Sequence, residues 1–210
     1  MELVDIAEQM FLERGFADTS MQMIAERAGA SKETLYRHFS SKELLFVEIV
    51  TRNALLVSGP DAAVARDGSP ESVLSELGIG VLRIVLAANA SRLFRTVVSE
   101  SARTPELGDL FYQRGPAVVA ARLTDYLARA AKRGELRCED PQTAARLFLG
   151  AVMSNYHVRR LVQSDWKPPS EKEVRRHVEA AVSMFLAQYE SRRPAGRKRL
   201  ACRRQSLPAW

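Results

Sequence analysis

The sequence is poor in cysteine, and its two cysteines lie far apart. Neither Cys138 nor Cys202 belongs to a Cys-x-x-Cys pair or has a histidine at metal-ligand spacing. Zinc sites and disulfide-stabilised folds are built from such clusters. His157 and His177 also lack ligand spacing, so the sequence predicts no metal, no cofactor and a reducing compartment.

Long apolar runs are absent as well. The longest, residues 81–90, contains Arg83 and is well short of the roughly 20 residues needed to span a bilayer. Residues 1–5 (MELVD) lack the positive flank and apolar core of a secretory signal. We therefore expect a cytoplasmic protein without a membrane partner.

Glycine and proline are scarce inside the stretches that carry apolar residues at helical spacing, and strict alternation is absent. This pattern predicts an all-α fold of about nine helices. The expected helices cover residues 2–14, 20–28, 31–38, 41–56, 70–88, 91–101, 105–133 with a break near Gly115–Pro116, 141–164 and 170–190.

Turn-forming residues separate a small first part of the chain from a larger second part. Glycine, proline, aspartate and serine cluster at 58–61 and again at 67–70, which indicates a connection between domains. We expect a small helical domain over 1–58, a larger helical domain over 59–190, and a disordered tail over 191–210.

The net charge of +6 is unevenly distributed. Residues 1–58 hold six basic and nine acidic side chains, whereas residues 191–210 hold seven basic and no acidic ones. Bulk charge therefore does not argue for nucleic-acid binding by the first domain. The basic tail either adheres to DNA non-specifically or is a solvated chain end.

The segment 20–39, SMQMIAERAGASKETLYRHF, has the pattern of a helix-turn-helix. Ala25 is small where the second helix would cross the first, and Gly29 tolerates the positive φ of the turn. Ile24, Ala28 and Leu35 supply the contacts between the two helices. The outer side of residues 31–38 is then left exposed.

That outer side carries donors for phosphates and base edges, because a second helix of this kind lies in the major groove. Ser31 leaves a helix N-terminus open to phosphate. Lys42 puts a positive charge in the first turn of the next helix, which suits a phosphate contact. The remaining donors are Lys32, Thr34, Tyr36, Arg37 and His38.

Glu33 has two interpretations. It could accept a hydrogen bond from cytosine N4 in the groove, or it could simply be an acidic residue at the start of a helix.

The first 45 residues resemble the DNA-binding domain of the TetR family of bacterial repressors. The resemblance rests on Gly15-Phe16, the Ala28-Gly29 turn, the LYRHF segment at 35–39 and the SKELL segment at 41–45. It implies phosphate contacts from Thr19 or Ser20, Tyr36, His38 and Lys42, and base contacts from Lys32, Glu33, Thr34 and Arg37. The basic arm that usually precedes the first helix does not appear in residues 1–5. Either the true start lies upstream, or the protein starts at Met1 and we expect lower non-specific affinity.

The rear part resembles the AefR-like branch of the family through residues 134–150. In the family, the last two helices form a four-helix dimer interface, and two heads about one helical turn apart read a palindromic operator. The apolar stripes on these helices predict such an interface, or else they are core within one chain. The interface candidates are Phe148, Val152, Val158, Val174, Val178, Val182 and Phe185.

A ligand cavity is expected among the middle helices, where each candidate could equally be plain core. The resemblance implies an apolar or amphipathic small molecule as the effector. The candidate cavity residues are Leu86, Asn89, Phe94, Val97, Phe111, Tyr112 and Leu123.

Taken together, the sequence predicts a dimeric, DNA-binding repressor that a small effector releases from its operator. The alternative is a regulator that works without a ligand, or an activator, acting through a protein partner. An enzyme is not expected, because the sequence shows no nucleophile, base or phosphate-binding loop in a catalytic constellation.

Overall fold

The computed structural model of the protein describes residues 3–59, 61–66, 68–163 and 165–191. This part of the chain folds into ten α-helices and one short 3-10 helix at Ala63–Ala65, which confirms the all-α class. The α-helices are α1 (Leu3–Arg14), α2 (Met21–Ala28), α3 (Lys32–His38), α4 (Lys42–Ser58), α5 (Pro70–Leu86), α6 (Ala88–Glu100), α7 (Pro105–Arg114), α8 (Pro116–Lys132), α9 (Pro141–Val162) and α10 (Glu171–Tyr189).

Local sequence explains where most helices begin. Four helices, α5, α7, α8 and α9, start at a proline, whose fixed φ suits the first turn and whose missing N–H is not needed there. Serine side chains cap α2, α3, α4 and α5 by accepting a backbone N–H. At α10, Ser170 and Glu173 form a complete capping box.

The expected break near Gly115–Pro116 separates two helices. Helix α7 ends at Arg114 and α8 begins at Pro116, because proline cannot donate the hydrogen bond that would continue α7. This break accounts for ten helices where about nine were expected. The predicted disordered tail lies, apart from Ser191, outside the described residues.

The first four helices close around an aromatic cluster. The ring centroids of Phe11 and Phe16 are 5.1 Å apart, and those of Phe16 and Phe46 are 5.6 Å apart. Ile24 of α2 and Leu35 of α3 are completely buried beside them. We call helices α1–α4 the head. Leu35 anchors α3 in this core beside α2, and the other side chains of α3 are exposed or half-buried.

The core of the rear part is built by α5, α8, α9 and α10. Tyr126 of α8 is fully buried, and its hydroxyl donates to the Gly68 carbonyl oxygen at 2.9 Å. The rings of Phe148 in α9 and Phe185 in α10 meet edge to face at 5.5 Å. These contacts bury the inner faces of the last two helices within one chain.

The head core extends beyond residue 58, where the sequence placed the domain boundary. Leu93 and Val97 of α6 and Leu107 of α7 pack into the same cluster as Phe46 and Ile49. The head is therefore joined to the rear helices by shared apolar packing as well as by the chain.

The predicted dimer stripes are intramolecular core. Six of the seven candidates are at most 4% exposed within a single chain, so a partner could not reach them. Helix α5 covers two of them at Gly78, where an added Cβ would lie 2.8 Å from Val178 and 3.4 Å from Val152. Only Val158 is exposed, at 57%. The corrected positions are Phe148, Val152, Val174, Val178, Val182 and Phe185.

Among the described residues, no single helix has the length and apolar content needed to cross a bilayer. The helices Pro70–Leu86 and Ala88–Glu100 meet that criterion only as a pair, across a bend of 67°.

The close approach at Gly78 predicts the effect of adding one methyl group. Gly78→Ala should lower the free energy of unfolding by about 1–3 kcal/mol, because the new Cβ meets the rigid Val178 side chain. Urea unfolding of Gly78→Ala, Val178→Ala and the double variant measures the coupling. The double variant should lose less than the sum of the two single losses, and strictly additive losses would contradict this packing.

Candidate functional site

The turn between α2 and α3 has the geometry expected of a helix-turn-helix. Gly29 adopts φ 63° and ψ 24°, and its N–H donates to the Ala25 and Glu26 carbonyl oxygens. Ser31 then caps α3 by accepting the Thr34 N–H at 3.1 Å. A glycine is required here because side chains disfavour the left-handed region.

Helix α3 presents one continuous exposed side. Leu35 is its buried anchor, and Lys32 Nζ lies 5.7 Å from the centroid of the Tyr36 ring. The side chains predicted to face DNA are exposed, apart from half-buried Thr34, whose hydroxyl lies 2.9 Å from that of Ser31. The exposed ones are Ser31, Lys32, Glu33, Tyr36, Arg37 and His38. Their contacts with DNA stay a prediction.

Thr19 is not available for a phosphate contact. Its side chain is buried, and its hydroxyl donates to the Gly15 carbonyl oxygen at 2.7 Å and lies 3.4 Å from that of Met10. The neighbouring Ser20 is exposed and caps α2 by accepting the Met23 N–H at 3.2 Å. Of the two alternatives, the structure leaves Ser20 as the candidate and assigns Thr19 to the fold.

Lys42 makes contacts within the protein, and its phosphate contact stays a prediction. Its Nζ donates to the carbonyl oxygens of Phe16, Ala17 and Thr19 at 2.8, 3.2 and 3.2 Å, and it lies 4.5 Å from the Phe16 ring centroid. An ammonium group has three donors, and these carbonyls use all three. Lys42 therefore ties α4 to the loop that follows α1.

Ion pairs fix the remaining helices of the head. Arg27 of α2 pairs with Glu13 of α1, and its hydrogen bond holds the pKa of that carboxyl below the ordinary value. Arg52 of α4 pairs with Asp5 and with Glu8, the latter at 2.8 Å. Three acidic side chains of the head thus face basic partners within the protein.

Behind the head lies an apolar cavity of about 480 Å³, within the size range of small-molecule sites. Phe94, Val97, Phe111 and Tyr112 line it as the sequence suggested. The rings of Phe94 and Phe111 are 5.2 Å apart and form part of its wall.

Three other cavity candidates lie elsewhere. Leu86 and Leu123 are buried in the rear core, where neighbouring helices fill the space around them. Asn89 is exposed, and its side-chain oxygen accepts a hydrogen bond from Arg92 at 3.0 Å. The alternative of plain core therefore applies to the two leucines.

Helices α4 and α9, for which the sequence predicted no cavity residue, also line the wall. From α4 come Val50, Asn53, Ala54 and Val57, and from α9 come Leu149, Met153, His157, Arg160 and Leu161. The α9 residues recur at helical spacing, which is a usable signal. It was hidden because an arginine and a histidine in that series are typical of a solvated face.

His157 is the titratable group of this wall that burial perturbs. Burial lowers the pKa of its imidazole below the ordinary value, so the ring is neutral at pH 7. It packs against Phe94 with ring centroids 4.9 Å apart. Within the described residues, no group of three histidine, cysteine or acidic side chains is arranged to hold a metal.

Two family models match the chain. A model of bacterial regulatory proteins of the tetR family matches residues 3–49, which include the whole turn and exposed helix described above. A model of the C-terminal domain of AefR-like transcriptional repressors matches residues 72–191, more than half of the chain.

Individual proteins are similar over different lengths. The probable transcriptional regulator ArpR of Pseudomonas putida is 31% identical over 156 residues, 69% of this chain and 71% of ArpR. The transcriptional activator FasR of Mycolicibacterium smegmatis is 44% identical over 59 residues, which span only 27% of FasR and 28% of this chain. The solved structure of the flavonoid-responsive regulator FrrA has a TM-score of 0.71 and 30% identity, and the match covers 91% of this chain and 96% of FrrA.

The carbonyl contacts of Lys42 lead to a stability prediction. Lys42→Met should lower the free energy of unfolding by about 1–3 kcal/mol, because three carbonyl oxygens lose a charged donor. Lys32→Met is the matched control: Lys32 is exposed on α3, and its replacement should change stability by about 0.5 kcal/mol or less. Equal urea midpoints for the two variants would show that the Lys42 contacts contribute nothing.

Proposed function

Because this chain belongs to the TetR family of bacterial regulatory proteins, we propose that it is a dimeric repressor released from operator DNA by a small, largely apolar effector. Members of this family are DNA-binding transcriptional regulators and not enzymes. Action on an operator would place the protein in the cytoplasm.

The observation that carries the proposal is that the exposed helix α3 and the apolar cavity are connected. The same residues pack in the core that holds α3 and line the cavity. Val50 of α4 and Leu93 and Val97 of α6 belong to the head core and also line the cavity. A ligand that displaces these side chains would shift the packing of the head itself. The arrangement therefore supports control of α3 by occupancy of the cavity.

Operator recognition requires two copies of α3 about one helical turn of DNA apart, and TetR-family regulators act as dimers. Since the inner faces of α9 and α10 are filled by their own chain, we assign the interface to the outer faces. Large apolar side chains are exposed there. They are Leu147, Val158, Val162 and Met184.

Release would follow from a change in the distance or angle between the two heads. An effector that binds one dimer conformation better than the other shifts the population toward it. Helix α4 is suited to transmit this change, because Phe46 and Ile49 lie in the head core while Asn53 and Val57 line the cavity. The name of FrrA describes that relative as flavonoid-responsive, which supports a small-molecule signal.

A second candidate is an activator, or a regulator that needs no effector. It is favoured by FasR, whose name describes an activator. The repressor remains the first choice because the AefR-like model, which describes repressors, matches the larger part of the chain.

Operator binding tests the proposed reading helix. In gel-shift titrations with DNA from upstream of the gene, Lys32→Ala and Arg37→Ala should weaken binding about tenfold or more. Thr34→Ala should change the preferred operator sequence as well. Lys132→Ala, which removes an exposed charge at the end of α8, is the control and should bind like the unaltered protein.

Equal affinity of all these variants, or no sequence-selective binding at physiological salt, would contradict a reading role for α3. An operator complex that no apolar compound dissociates would favour the second candidate.

Two substitutions at equally exposed valines test the proposed dimer surface. Val158→Glu should raise the dimer dissociation constant at least about tenfold, because an unpaired carboxylate would be buried at the interface. Val98→Glu on α6 is the control, since Val98 and Val158 are 58% and 57% exposed. Sedimentation equilibrium measures the masses, and equal dissociation constants for the two variants would rule out this surface.

A further inference from the structure

The cavity wall carries one permanent charge. Its lining is mostly apolar, and its described residues include no aspartate or glutamate. The polar side chains on the wall are Asn53, Ser91, Tyr112, His157 and Arg160. An arginine keeps its charge at every physiological pH, so the wall has a permanent cationic group.

Arg160 lacks a full set of partners within the protein. Its Nε atom is buried and has no hydrogen-bond partner among the described residues, and it forms no ion pair in that part of the chain. An unsatisfied charged donor in an apolar site is costly. A bound group that accepts hydrogen bonds would remove this cost.

Two of the other polar groups on the wall do not replace such a group. The Ser91 hydroxyl already donates to the Ala88 carbonyl oxygen at 3.0 Å. His157 is neutral at pH 7 because burial lowers its pKa, and its ring packs on Phe94. Neither side chain supplies a negative charge for Arg160.

The backbone of α9 is broken just before the residues that carry this chemistry. Ser154 has φ 41° and ψ −139° inside the helix, a conformation that costs a non-glycine residue roughly 1–3 kcal/mol. His177 Nε2 of α10 lies 2.9 Å from the Val152 carbonyl oxygen and 3.2 Å from that of Ala151. Because of this break, the part of α9 that carries His157 and Arg160 does not continue the helical path of the part before Ser154.

We propose that the effector is an amphipathic anion, an apolar molecule ending in a carboxylate, with the carboxylate on Arg160 and the apolar body beside Phe94 and Phe111. A guanidinium matches a carboxylate with two parallel hydrogen bonds. The remaining wall offers apolar contact to the body of the ligand. The proposal rests on the effector-binding function proposed above.

The test compares three ligands of equal chain length by isothermal titration calorimetry on the full-length protein: decanoate, decanol and decylamine. Decanoate should bind at least about tenfold more tightly than decanol, as expected for hydrogen bonds to a charged group, and decylamine should bind least. A decanoate affinity equal to or below that of decanol overturns the proposal.

Two arginine variants locate the charge. Arg160→Gln should abolish the preference for decanoate and leave decanol binding within about twofold. Arg159→Gln is the control and should keep the preference for decanoate. Arg159 is bound elsewhere: its Nε donates to Gln163 at 3.1 Å and its guanidinium lies over Trp166. A preference that survives in Arg160→Gln overturns the assignment. If that variant fails to fold, the ligand comparison on the unaltered protein decides.

Operator release, followed by fluorescence anisotropy of labelled DNA, separates the two proposals. If decanoate binds through Arg160 but leaves the operator complex intact, the anion site stands and the release mechanism fails. If neutral decanol binds better and releases the operator, the release mechanism stands and the anion site fails.

Discussion

The structure depends on apolar packing that the head and the rear helices share. Val50, Leu93 and Val97 each contribute to the core that holds α3 in place and to the wall of the cavity. Protein interiors are close-packed, so a side chain with two such duties cannot move for one without disturbing the other. Through this constraint, a change in the side chains of the cavity wall would also disturb the core that positions α3.

The head could be predicted from sequence because its determinants are local. Gly29 at the turn and the serine caps act within a few residues of themselves. A helix boundary marked by a proline, such as that at Pro116, is equally local. The exposed side of α3 followed from these features and from a single buried position, Leu35.

The packing partners of α9 and α10 were predicted less well, because an apolar stripe on a helix does not show which surface covers it. Val152 and Val178 have the spacing of an interface, yet the partner is α5 of the same chain, which approaches closely at Gly78. Lys42 is a similar case, since its amine fits a phosphate or three backbone carbonyls equally well. Deciding between such partners requires the tertiary structure, because the competing groups are distant in sequence.

The ion pairs of the head bear on how such a protein would find its site. Arg27 and Arg52 are bound to acidic side chains of the head, whereas Lys32 and Arg37 remain exposed on α3. The region 1–58 nevertheless has more acidic than basic residues. The head by itself therefore offers a duplex little long-range attraction, and the charges of α3 act at close range. Residues 191–210 hold the main excess of positive charge in the sequence, so general attraction to a duplex would come from that end of the chain and the choice of sequence from α3.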